Sequence, residues 1–328
     1  MAKNNFSRLL AVASAIAVAA SVLVLLTATQ PVEAAFPGAN GRIAFERDPD
    51  GFRGPEDPEI YSINFRGENL ERLTDNATQD TQPAFSADGT KIVYSGGGRR
   101  AYDSYSADLF VMRADGSGKT RVTREREIPG AQTADDLQPA FSPGGRKIVF
   151  VRNGLLPEGY SSNNDIYTIG TDGKGLTRLV NIPSFEYYSG GDPAWSPDGR
   201  KIAFFSGAED EYSIETVRPD GTARKPLTTG YAPNWSPDAQ KIAFHRSPDG
   251  YESHIYTADA DGTDEEELTT SGAYDSEPAF SAGGGKIVFA SDRDGDSDLY
   301  VMDANGTDVR QLTNHPGADS APDWRPVQ

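Results

Sequence analysis

The sequence predicts an all-β fold, a six-bladed β-propeller of four-stranded blades. Three observations carry that expectation. A proline-led segment recurs along the chain, a second segment closing in Leu-Thr or a close variant accompanies it, and the two ends supply complementary parts of one further unit. The composition agrees. With 34 Gly and 22 Pro in 328 residues, turn formers punctuate the chain too often for long helices.

The first segment reads PAFSADGTKIVY from Pro83, PAFSPGGRKIVF from Pro139 and PAWSPDGRKIAF from Pro193. It continues as PNWSPDAQKIAF from Pro233 and PAFSAGGGKIVF from Pro278. Each copy spells a short strand, a tight turn and a second strand, Lys-Ile followed by Val or Ala and an aromatic residue. Proline presets φ and glycine supplies positive φ, so turn chemistry separates the two strands. The second segment supplies strands three and four around an Asp-Gly or Asn-Gly turn in most copies. Examples are DLFVMRADGSGKTRVT from Asp108 and DLYVMDANGTDVRQLT from Asp298. A repeat of roughly 40–45 residues carrying four strands is the spacing of a propeller blade.

The ends set the blade count. The chain finishes at Ala321-Pro322-Asp323-Trp324, a first strand with no second after it. It opens the repeat region at Gly41-Arg42-Ile43-Ala44-Phe45, a second strand with no first before it. Joined, they complete a sixth blade and leave no frayed edge. Ahead of Gly41, Lys3 and Arg8 precede an apolar run from Leu9 to Leu26, and small residues follow at Ala34 and Ala35. Residues 1–35 read as a secretory signal peptide cleaved near Ala34/Ala35, with a retained anchor as the competing reading. Residues 36–328 form the single propeller domain.

The formal net charge is −18, and no basic cluster along the chain offsets it. That balance argues against nucleic acid and anionic membranes as partners. The absence of cysteine excludes disulfides and thiolate chemistry. Ala114-Asp115-Gly116-Ser117-Gly118-Lys119-Thr120 ends like a phosphate-binding loop. However, Arg113 stands where such a loop needs glycine, and a strand follows instead of a helix. No G-x-S-x-G elbow is present, and the three histidines lack zinc-ligand spacing.

The repeated aromatic-Ser-Pro-Asp-Gly turn, with its Ile-Tyr and Leu-Thr partners, resembles the WD40-like repeat of TolB-type propellers. Ser291-Asp292-Arg293-Asp294-Gly295 before Asp298-Leu299-Tyr300 is especially similar. The likeness covers about residues 40–328 and implies the propeller alone. TolB proteins carry an α/β domain ahead of theirs, and Ala35 to Gly41 leaves no room for one.

Alternating strand direction puts the uniformly tight turns, after strands one and three, on one face. The loops after strands two and four, variable in length, lie on the other, and loops on a rigid scaffold carry function. Tyr188, Tyr231 and Tyr274 are expected there as recognition surface, beside acids such as Asp135, Asp136 and Asp275. The residue before each repeated proline should stand at the mouth of the central channel. Its polar members, Gln82, Gln138, Asp192 and Glu277, are the candidate ligand-binding set. Asp292, Asp294 and Asp296 alternate like calcium ligands, without the glutamate of an EF-hand. No other cofactor and no catalytic residue is expected. The functional expectation is an exported, monomeric module, secreted, extracellular or periplasmic. It would bind a protein or cell-envelope ligand and would not insert into membrane once the signal is removed. The alternative is a carbohydrate-active hydrolase or lyase using carboxylates or a divalent cation at the channel mouth.

Overall fold

The computed structural model of the protein describes residues 41–326, apart from 52–56, 99–106, 124–133, 156–161, 183–187, 209–210 and 249. The segment expected to be a signal peptide lies outside the described residues. Those residues fall into six antiparallel four-stranded sheets, the six blades. Blade 1 is the composite one. Ala318–Trp324 is followed outward by Arg42–Asp48, Glu59–Asn64 and Glu71–Arg72. Ile43 pairs with Trp324 and Arg47 with Asp319, so the two ends of the chain share one sheet. Blades 2 to 6 follow in chain order. Their first strands are Gln79–Phe85, Ala134–Phe141, Tyr188–Trp195, Tyr231–Trp235 and Asp275–Phe280.

Recurrent local chemistry explains the recurrent motifs. In the turn after strand one of blade 4, Ser196 Oγ donates to Asp198 Oδ1 at 2.7 Å. The Arg200 N–H donates to the same oxygen, and the Lys201 N–H to Ser196 Oγ. The Ser-x-Asp-Gly string therefore satisfies its own turn. The closing Thr does the same at the outer strand. Thr74, Thr123, Thr269 and Thr313 accept the N–H groups of Ile60, Leu109, Ile255 and Leu299 at 2.8–3.0 Å.

The blades are locked to one another by apolar packing and by one glycine each. Six buried apolar clusters lie between neighbouring blades. One joins Val93 and Leu109 of blade 2 to Ile148 and Phe150 of blade 3. At the outer rim, the glycine of each turn after strand three abuts a backbone carbonyl of the preceding blade. Gly116, Gly173, Gly221, Gly262 and Gly306 face Leu73, Val122, Leu179, Leu227 and Leu268, and Gly67 faces Leu312 to close the ring. A Cβ at these positions would lie 2.3–3.1 Å from the carbonyl oxygen. Asp115-Gly116, inside the stretch that looked like a phosphate loop, is one of these six locks.

A third repeated device sits under the loop face. Arg47, Arg152, Arg246 and Arg293 each lie over a strand-two Phe and a strand-three Tyr, with guanidinium-to-ring distances of 4.5–5.5 Å. Arg47, Arg152 and Arg293 are paired with buried Asp319, Asp136 and Asp275 at 2.6–2.8 Å. Asp136 and Asp275, expected to offer acid to a ligand, are thus held inside their blades by arginine.

Candidate functional site

The sequence-predicted channel-mouth residues do converge. Gln82, Gln138, Asp192, Ala232, Glu277 and Ala321, with the prolines that follow them, line a cavity of about 160 Å³. All six adopt positive φ, between 46° and 54°. A break in strand register accompanies each of the five in blades 2 to 6, for example between Leu137 and Ala140. The left-handed conformation costs a non-glycine residue roughly 1–2 kcal/mol, so a ring of six must be held by its surroundings.

What holds it is a relay of hydrogen bonds between blades. The Gln138 N–H donates to Gln82 Oε1 of the preceding blade at 2.9 Å, and the Asp192 N–H to Gln138 Oε1 at 3.0 Å. The Ala321 N–H donates to Glu277 Oε2 at 2.7 Å. Where the pre-proline residue is alanine and has no acceptor, a strand-two side chain of the same blade replaces it. In blade 5, beside Ala232, His245 Nδ1 accepts the Glu277 N–H at 3.3 Å. In blade 1, beside Ala321, Glu46 Oε2 accepts the Gln82 N–H at 2.9 Å. A neighbouring ring repeats the device: Asn234 Oδ1 accepts from the Phe280 N–H and Asp323 Oδ2 from the Phe85 N–H.

The electrostatics follow from enclosure. Burial drives the Glu46 carboxyl to about 7, helped by the Glu277 charge. Burial likewise drives Glu277 to about 7, with Asp192 adding repulsion, and lifts Asp192 and Asp323 to about 6. Burial lowers His245 to about 4. Its imidazole is neutral at pH 7, and with Nδ1 accepting, the proton resides on Nε2. Among the described residues, no lysine or arginine lines the cavity. Raised carboxyl pKa values mean that the folded state binds more protons than the unfolded state between roughly pH 4.5 and 7. Their stabilising contribution is complete below that window and is lost as pH rises through it. Tm is therefore expected to fall between pH 5 and pH 8, and Glu46→Gln with Glu277→Gln should flatten that profile in a thermal melt. An unchanged slope would remove these two groups as its source.

Beside the mouth, aromatic rings run across three blades. Phe205 and Tyr212 of blade 4 meet Tyr231 of blade 5 at 5.3 and 4.7 Å between centroids. Tyr231 stacks on His245 at 5.3 Å, and His245 meets Tyr274 edge-on at 6.3 Å. Tyr274 is 46% exposed and Tyr251 nearby in sequence 88%. The structure thus brings Tyr231 and Tyr274 together through a histidine. Tyr188 belongs to the first strand of blade 4, and its side chain lies outside the described residues. The calcium-like triplet regroups. Asp292 Oδ1 accepts the Tyr274 N–H at 2.7 Å, whereas Asp294, Asp296 and Asp298 bring carboxylate oxygens within 4.8 Å of one another. Asp298 is also tied to Thr313 and His315, and Gln311 donates to Asp294 and Asp298.

Sequence reasoning missed Glu46, His245, Asn234 and Asp323. Each left a trace: Asp323 and Asn234 replace the alanine of the Pro-Ala-aromatic repeat. Glu46 and His245 follow the strand-two aromatic, where Val151 and Ala290 stand in other blades.

Comparison with known proteins agrees with this architecture. Residues 192–328 match the family model described as TolB beta propeller domain. A TolB homolog of Chlorobium luteolum is 30% identical over 164 residues, which is 50% of this chain and 31% of that protein. The uncharacterized peptidase YuxL of Bacillus subtilis is 28% identical over 37% of this chain and 16% of its own. The matched region therefore spans about a third or less of these relatives. Among solved structures, TolB from Acinetobacter baumannii superposes with a TM-score of 0.71 at 20% identity, covering 88% of this chain and 67% of that one. Repeat motifs, six closed blades and these likenesses concur: the chain folds as a six-bladed β-propeller similar to the propellers of TolB proteins.

Proposed function

We propose that the protein is an exported binding module that recognises a protein or cell-envelope ligand through its variable loop face and the adjoining channel mouth. The observation that carries this reading is the aromatic row from Phe205 to Tyr274, which ends in half-exposed Tyr274 beside the carboxyl-lined cavity. Tyrosine presents a large contact area with few rotatable bonds, and an aromatic row next to raised-pKa carboxyls suits a ligand with apolar and hydrogen-bonding parts. The relatives named TolB support a propeller that serves as a binding module. The basic start, apolar run and small residues of positions 1–35 support export to a secreted, extracellular or periplasmic location.

The hydrolase or lyase reading is not favoured by three of the carboxylates at the mouth. Glu46, Glu277 and Asp323 each accept a backbone N–H of the next blade, which commits them to holding the ring.

The test is capture from envelope extract, followed by calorimetry on the captured ligand. Tyr274→Ala with Glu277→Gln is expected to weaken binding about tenfold or more while leaving Tm within a few degrees, because glutamine retains the acceptor for the Ala321 N–H. Unchanged affinity would remove this sector from the site.

A further inference from the structure

The loop face does not exhaust the surface. On the opposite face the two short turns of each blade lie side by side. The Ala114 N–H donates to Thr90 O in blade 2, and the Thr171 N–H to Arg146 O in blade 3. Equivalent bonds join Ala260 to Gln240 and Ala304 to Gly285 in blades 5 and 6. Uniformly short turns make this face flat.

Its charge is segregated. Lys91, Arg113 and Lys119 of blade 2 and Arg146, Lys147 and Lys174 of blade 3 are all exposed. None takes part in a salt bridge among the described residues, where the blade's other arginines do, as Arg121 with Asp108 and Arg178 with Asp165. Three acids share these turns, and each accepts an N–H of its own turn: Asp88 from Thr90, Asp115 from Ser117 and Asp172 from Lys174. Six cations against three acids leave this sector positive on a chain of net charge −18.

Strand register shows that folding alone does not ask for this. In blades 5 and 6 the strand-two lysine faces an aspartate and pairs with it, Lys241 with Asp259 at 3.1 Å and Lys286 with Asp303 at 2.6 Å. In blade 2 the corresponding Lys91 faces Arg113. Like charges directly opposite one another destabilise a sheet. At the junction of blades 2 and 3 the surface dips into two hollows of about 300 and 290 Å³. Lys91, Arg113, Arg121, Arg152 and Lys174 line them with the hydroxyl-bearing Thr120, Thr123 and Thr171 and one acid, Asp172, whose carboxylate accepts the Lys174 N–H.

We propose that this turn face of blades 2 and 3 adsorbs onto an anionic phospholipid headgroup surface. A flat cationic patch fits a flat anionic sheet, and hollows lined by cations and hydroxyls accept phosphate oxygens. Acids also stand in the turns of blades 4 and 5 on this face, Asp220, Asp238 and Asp261 among them, and charges more than about 8 Å away are largely screened at physiological ionic strength. No basic cluster is visible along the sequence. The six cations are spread from position 91 to 174, and only the turns gather them.

The test is co-sedimentation of the whole chain with vesicles of phosphatidylglycerol mixed into phosphatidylcholine, and with phosphatidylcholine alone. Arg113→Glu with Lys174→Glu is compared with Lys241→Glu with Lys286→Glu, which changes net charge equally. Both are first checked for fold by circular dichroism. The N-terminal apolar run is common to all three proteins. Partition onto anionic vesicles is expected to fall about tenfold or more in the first variant, to stay within about twofold in the second, and to be abolished in the parent at 1 M salt. No preference for anionic over neutral vesicles, or equal loss in both variants, would overturn the proposal. Displacement from vesicles by soluble polyglutamate at comparable charge concentration would also overturn it, reassigning the patch to an acidic protein segment.

Discussion

Gly262→Ala is expected to destabilise the protein by about 2–5 kcal/mol, a large share of the roughly 5–15 kcal/mol that holds a typical domain folded. Two penalties add. Alanine at the φ of 91° found there incurs about 1–2 kcal/mol of left-handed strain. Its Cβ would also lie 2.3 Å from the Leu227 carbonyl oxygen of the preceding blade, which is backbone and cannot rotate aside. Relieving that overlap means moving the blade 4 to blade 5 contact, at about 1–3 kcal/mol for an overpacked site. Gly250→Ala is the internal control. Its φ is 79°, yet nothing lies within 4 Å of the added Cβ, so it bears the strain alone. Urea denaturation of both variants measures the difference. Equal shifts in midpoint would show that the rim contact contributes nothing and that the glycine serves only its own turn.

That contact was legible in the sequence only as half a fact. The Asp-Gly string announces a tight turn through φ, and this sufficed to count blades. What the sequence does not display is that the same glycine touches the neighbouring blade, because that contact joins residues dozens of positions apart. The same limit governs the channel mouth. Gln82, Gln138, Asp192 and Glu277 could be placed there because each precedes a repeated proline, a position fixed by the repeat. The role of Gln82, Gln138 and Glu277 as hydrogen-bond acceptors for the next blade's N–H depends on a register break and a positive φ. Both are properties of the bulged backbone with no residue signature, since alanine occupies the same position in two blades. Glu46 and His245 entered the ring because those alanines left it incomplete, a compensation visible only once strands one and two are side by side. The basic sector of the turn face is the clearest case: a linear scan sees acidic average charge, and the fold gathers six dispersed cations in the turns of blades 2 and 3.

Arg152→Met is expected to destabilise the protein by about 3–5 kcal/mol, and Asp80→Asn to do the opposite at alkaline pH. Both residues belong to the same repeated device. Asp136 is 2% exposed, and Arg152 binds it through Nε at 2.6 Å and Nη2 at 2.7 Å while lying over Phe150 and Tyr167. Removing the guanidinium leaves a buried carboxylate with no counter-charge, and the loss of cation–π contact adds to the penalty. Among the described residues, blade 2 lacks the arginine. Asp80 stands where Asp136 stands and is 3% exposed, but Gly96 occupies the position of Arg152, between Tyr94 and Phe110. Asp80 keeps a hydrogen bond from Asn76 at 2.7 Å, and burial raises its carboxyl to about 6. A raised carboxyl pKa opposes folding above the window and ceases to do so below it. Against an ordinary value of 3.8, a pKa of about 6 corresponds to at most about 3 kcal/mol of ionisation penalty at pH 8. Asp80→Asn is therefore expected to raise the urea midpoint at pH 8 and to leave it unchanged near pH 4. Arg152→Met should lower it. If Asp80→Asn destabilises the protein equally at both pH values, the hydrogen bond from Asn76 outweighs the buried charge. Blade 2 would then be a finished solution without arginine instead of an incomplete one.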